Sequence, residues 1–157
     1  MSYDLVGYIL RPDEHPEAIA AILNGKSDVE EYASAPLSLT VRDRILSICG
    51  ERGFTVEEVP GSIEFTKDSL QISVFEREVG ISVPYWEEAK PLLDEALAIV
   101  EVLSDTTSLR FWDPQEGAWV DGKSQASTFN GTVQKMERVV QRQGAKPPSR
   151  PWWRFWG

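Results

Sequence analysis

Apolar positions recur along this chain with two periods, and the switches between them mark its elements. Residues 3–10, "YDLVGYIL", are aromatic and β-branched without strict alternation, which predicts a central strand. In "RPDEHPEAIAAILNG", Asp13 or His15 can cap a helix with Pro16 at its first position. Ile19, Ile22 and Leu23 fall on one face of that helix, and Gly25 sits just past its end. The stretch 24–37 is polar, contains Pro36, and predicts a loop with room for a helical turn. "SLTVRDRILSICGERGF" predicts a second helix, with Thr40 as cap and Asp43 three residues on. Val41, Ile45, Ile48 and Cys49 form its buried stripe, and Gly53 stops it.

The period then drops to two. Segments 54–59, 62–67, 70–76 and 80–85 predict four strands, separated by "PG", "DS" and "REV". Connections this short force antiparallel neighbours, hence a meander. Its apolar face comprises Ile63 and Phe65, then Leu70, Ile72 and Val74, then Ile81 and Val83; Phe75 breaks the alternation. "WEEAKPLLDEALAIVEVLSD" predicts the longest helix, regular from Pro91, with Ala89, Leu92, Leu93, Ala96, Leu97, Val100 and Leu103 facing the core. "SLRFWDPQEGAWVDG" predicts a short strand, a turn at Asp113-Pro114, and a second short strand through Trp119 and Val120. Finally, "SQASTFNGTVQKMERVVQRQG" predicts an amphipathic helix carrying Phe129, Val133, Met136 and Val140, which Gly131 weakens.

The predicted order, βααββββαββα, is that of an α+β domain with helices packed on one face of a mostly antiparallel sheet. We place this single domain at residues 1–143 and a Pro/Arg/Trp-rich C-terminal tail at 144–157. No internal repeat is visible.

Charge divides the chain at the same place. Residues 1–122 carry 9 Lys+Arg against 24 Asp+Glu, whereas residues 123–157 carry 7 against 1. An acidic body repels phosphate, so no nucleic-acid partner is expected; the acidity reads as a solubilising surface or, more sharply, as a surface complementary to a basic protein partner. The start "MSYDLVGYIL" lacks a basic, cleavable leader, and no apolar run approaches the roughly 20 residues that span a bilayer. The expected location is cytoplasmic.

Candidate chemistry is sparse. One histidine and one cysteine rule out a two-His zinc site, an HExxH helix and an intrachain disulfide. His15 reads as a cap, and Cys49, on an apolar stripe, as an inert buried thiol. No Gly-rich phosphate loop and no EF-hand-type loop occurs, so neither metal nor cofactor is expected. The acidic doublets, among them Glu57-Glu58, point to opposite sides of a strand or about 100° apart on a helix; they read as solvated faces. In "RFWDPQEGAWV", Trp112 and Trp119 flank a turn at a spacing that lets them meet across a hairpin. Together with Trp86 and Asp113 they could alternatively line a ligand pocket.

The opening "MSYDL" and the late "FWDPQ" resemble features of a loose group of small uncharacterised bacterial proteins. Some of that group resemble immunity or accessory proteins of toxin systems. The resemblance implies a protein-binding role and supplies no catalytic residue.

The tail "KPPSRPWWRFWG" places Arg150 beyond two prolines, and Trp152, Trp153, Arg154, Phe155 and Trp156 beyond a third. Burying aromatics of this size stabilises by roughly 1.5–3 kcal/mol each, so a surface that covers them is expected. Three destinations stay open: a groove of the chain's own domain, a protein partner, or a membrane interface. The leading expectation is a non-enzymatic protein-interaction module, plausible as an immunity or accessory protein, that uses its acidic face, the tail, or both. The alternatives are a small enzyme or ligand-binding domain with a Trp/carboxylate pocket, and a peripheral membrane-recruited regulator.

Overall fold

A computed structural model describes residues 2–84 and 90–120. The elements run β1 (Ser2–Ile9), α1 (Pro16–Leu23), α2 (Leu39–Glu51), β2 (Thr55–Val59), β3 (Ser62–Lys67), β4 (Leu70–Val74), β5 (Glu78–Pro84), α3 (Lys90–Thr106), β6 (Leu109–Asp113) and β7 (Ala118–Trp119). Seven strands form one sheet in the order β2-β3-β4-β5-β1-β6-β7, with every pairing antiparallel. This is an α+β fold. The predicted C-terminal helix, the tail and Trp86 lie outside the described residues.

Two-residue turns explain the meander. Pro60-Gly61 joins β2 to β3, with Gly61 at φ +87, and Asp68-Ser69 joins β3 to β4, with Asp68 at φ 54. β1 does not follow on from its neighbours in sequence; it pairs with β5 on one side and β6 on the other. Since β5 and β6 both run against β1, they are parallel to each other, and α3 provides the long connection that parallel strands need.

Directly paired residues share a face, so the register sorts the side chains. One face carries Tyr3, Leu5, Phe65, Leu70, Ile72, Val74, Val79, Ile81, Val83, Leu109 and Phe111, all buried in one core with α2 and α3. The α2 stripe, Val41, Ile45, Ile48 and Cys49, is buried as its spacing predicts. On α3 the buried positions are Leu93, Ala96, Ile99, Val100 and Leu103, with Leu92 and Leu97 partly buried beside them; Ile99 joins the predicted stripe. Each fully buried Val, Leu, Ile or Phe among them contributes roughly 1.5–3 kcal/mol by leaving water.

The opposite face is polar over β2–β5, with Thr55, Glu57, Glu64, Thr66, Gln71, Ser73 and Ser82, and aromatic at the β6–β7 end. There the smallest helix, α1, packs. Its Pro16 carbonyl accepts a hydrogen bond from Trp119 Nε1 at 3.0 Å, and Asn24 Nδ2 donates to the Gly117 carbonyl at 3.1 Å. Ile19 of α1 is buried outside the main core. Thus α2 and α3 cover one face, and α1 covers one end of the other.

Local departures from the sequence expectation have local causes. α2 is capped by Ser38, not Thr40: Ser38 holds an extended backbone, and its Oγ accepts the Val41 N–H at 3.2 Å. β4 ends at Val74 and β5 begins at Glu78, because Phe75 turns out of the ladder and its N–H bonds the Glu78 carbonyl at 2.9 Å. Residues 24–37 contain no helical turn. Instead the loop is pinned by backbone bonds from Ala35 to Ile9 and from Leu37 to Glu76, and by Arg77 Nη1 on the Ser34 carbonyl.

Candidate functional site

The aromatic turn is a brace. Trp112 and Trp119 are paired across β6 and β7, with ring centroids 5.1 Å apart and planes at 78°. Trp112 is buried, Trp119 is fixed to α1 through Pro16, and the Arg110 guanidinium lies 5.4 Å from the Trp119 ring centroid. Asp113 points to the other face of the sheet, where it is fully buried. Its carboxylate accepts the Tyr3 hydroxyl and the backbone N–H groups of Gln115 (2.9 Å) and Glu116 (3.1 Å). The bond from Gly117 N–H to the Asp113 carbonyl closes the turn, with Gly117 at φ +64. Gln115 reaches back to accept the Asp4 N–H at 2.7 Å. Trp112 and Trp119 therefore meet as their spacing predicts, while Asp113 is separated from them by the sheet and holds the turn to β1. The signal for Asp113 was in "DPQ", an Asx-type turn starter.

The other single-residue candidates also perform structural work. His15 is the cap of α1, accepting the Glu17 N–H at Nδ1 over a long 3.4 Å. Cys49 is fully buried; burial pushes its thiol up to about 12 despite the nearby Arg52, which keeps it protonated and unreactive at neutral pH. Among the described residues no group of three or more His, Cys, Asp or Glu is placed to hold a metal. No helix among them is long and apolar enough to cross a membrane.

Two of the depressions in the surface lie wholly among the described residues. One, of about 500 Å³ between the start of α2 and the end of α3, is walled by hydroxyls, and in it Arg44 Nε donates to Thr106 Oγ1 at 3.3 Å. The other, of about 270 Å³, lies between α2 and the β2–β3 hairpin and is lined by Arg42, Glu58, Val59, Gly61, Ser62, Ile63, Val74 and Glu76. Neither is lined by Trp112, Asp113 or Trp119.

Around the second depression the sheet edge is acidic. β2 is the outermost strand, and its residues Thr55 to Glu58 are all exposed. Glu57 stands directly opposite Glu64 of β3, on the polar face, and Glu58 opposite Ile63, on the core face. Like charges set opposite each other destabilise a sheet. Glu64 is relieved by its neighbours: Gln71 Nε2 (2.8 Å), Ser62 Oγ (2.9 Å) and Ser73 Oγ all donate to it. Burial raises its pKa, but the bonds from Ser73, Gln71 and Ser62 outweigh that and hold the carboxyl below its usual range. Glu64 is thus kept ionised beside Glu57. Ion pairs among the described residues involve Glu14 and Glu95, not Glu57, Glu58 or Glu64. Glu57 and Glu58 are solvated, as a doublet of this kind predicts, but nothing in the doublet itself places its strand at the rim.

The predicted tail anchors Arg150, Trp152, Trp153, Arg154, Phe155 and Trp156 lie outside the described residues. No family model, no curated protein and no solved structure matches this chain.

Proposed function

We propose that this protein is a non-enzymatic interaction module that holds a basic protein partner on the acidic rim of its sheet. The observation that carries the reading is the Glu57–Glu64 pair, two like charges directly opposite each other, with which no Lys or Arg among the described residues forms an ion pair. Both carboxylates are ionised at neutral pH and attract a Lys or Arg supplied by a partner. Glu58 and Glu76 add charge around the adjoining depression. An immunity or accessory role, in which a small acidic protein covers a basic one, fits both this surface and the resemblance at "MSYDL" and "FWDPQ". The tail supplies a second contact: Trp152, Trp153, Phe155 and Trp156, interleaved with Arg150 and Arg154, are the residue types that dominate binding hot spots.

Affinity capture from source cells with the intact chain, alongside a Glu57→Lys/Glu58→Lys chain, tests the reading. A basic protein recovered by the first and depleted with the second is expected. Equal recovery of every partner by both would count against it.

A further inference from the structure

Resting on the reading above, we infer that β2 is a strand-addition site for an extended segment of a partner protein carrying Lys or Arg at alternate positions. Three independent features of the rim lead there.

The first is the backbone. Pro60-Gly61 is a two-residue turn, so Val59 and Ser62 close the hairpin as a hydrogen-bonded pair. Bonding alternates along an antiparallel pair, so the N–H and C=O groups of Val56 and Glu58 point away from β3, out of the sheet. They form an open ladder.

The second is the side chains that flank that ladder. Val56 is 55% exposed, an apolar residue at the sheet rim, on the same face as Glu58. An added strand would place one side chain opposite Val56 and another opposite Glu58.

The third is the depression of about 270 Å³ on that face. Ile63 and Val74, on that face, give the depression an apolar lining, and Glu58 and Glu76 also line it. Arg42 also lines it, its guanidinium held on the carbonyls of Phe75 (3.0 Å) and Glu76 (3.3 Å), so the lining carries two acidic residues against one basic one. A long cationic side chain matches this arrangement: its methylenes lie on the apolar lining and its charge meets the acids. Acidic strands do not match. In particular, a second copy pairing through β2 about Glu57 would set glutamate against glutamate. The rim thereby disfavours self-pairing in that register while staying open to a basic strand.

The test uses the isotope-labelled full chain and a capped six-residue peptide of alternating Lys and Val. Amide shifts and hydrogen exchange are read along β2. The expected result is binding that slows exchange at the Val56 and Glu58 amides, and that weakens about tenfold in Glu58→Gln and further in Glu58→Lys. A peptide N-methylated at alternate residues, with its charge intact, should lose the binding. If the N-methylated peptide binds equally well, or protection appears away from β2, strand addition is wrong while the acidic-surface reading stands. If the unmodified peptide fails to bind at up to about 1 mM, both are wrong. Dimerisation of the free chain through β2 would also overturn the inference.

Discussion

Trp112 and Trp119 meet edge to face at 5.1 Å on the side of the sheet away from the main core, and Trp119 in turn fastens α1 to this hairpin through its Nε1–H bond to the Pro16 carbonyl. Replacing Trp112 by Ala should cost about 3–5 kcal/mol, as expected for a buried aromatic. Trp119→Phe keeps a ring but loses the bond to the Pro16 carbonyl, and should cost about 1 kcal/mol. Chemical denaturation of the two variants checks both the order and the sizes.

Gly7 and Phe111 form a second matched pair. They are direct partners in the β1–β6 ladder, and a Cβ at Gly7 would stand 2.8 Å from Phe111 Cε1. Gly7→Ala should therefore destabilise by about 1–3 kcal/mol through overpacking. Combining it with Phe111→Leu should recover part of the loss, so that a double-mutant cycle shows a coupling of about 1 kcal/mol.

Alkaline pH should loosen the fold. Burial, then the Glu78 charge, pushes Tyr8 up to about 12, and burial, then the hydrogen bond to Glu14, does the same for Tyr32. Burial pushes Cys49 to about 12 as well. The unfolded chain loses these protons near 9.0 for the thiol and 10.0 for the phenols, whereas the folded chain keeps them to about 12. Across that window the unfolded state binds fewer protons, so stability falls as pH rises. Cys49→Ala and Tyr32→Phe should each flatten the decline in a pH series of melting temperatures.

Acid should act through Glu64. Its carboxyl titrates near 4.5 when unfolded and lower when folded, so its contribution is present above 4.5 and is lost as pH falls through the folded-state value. Glu64→Gln should lower stability at neutral pH and show a smaller further loss on acidification than the parent chain. Matched denaturation curves at pH 7 and at acid pH provide the comparison.

Much of this architecture is written locally. The Pro60-Gly61 and Asp68-Ser69 turns make the meander, the 3.6-residue stripe from Leu93 to Leu103 makes α3, and Trp112 finds Trp119 across a short turn. What the chain conceals is set by long-range pairing. β1 inserts between β5 and β6, which leaves β2 at the rim, and nothing in "TVEEV" declares that position. β1 hides its own alternation: Tyr3 and Leu5 face the core, while Val6 and Tyr8 face the other side, where Tyr32 meets Tyr8 edge to face at 5.5 Å. The two-sided burial at β6 likewise parts Trp112 from Asp113, though they are adjacent in sequence. Alternation along a strand predicts such a split, but only once both faces are known to be covered.

The acidic rim is the centre of this account, and the affinity of the captured basic partner measures it most directly. The intact chain and its Glu57→Lys/Glu58→Lys variant would be titrated with that partner over a range of salt concentrations. The account predicts a loss of at least about tenfold for the variant at low salt, and a weaker salt dependence than for the parent. Equal affinities with the same salt slope would contradict it.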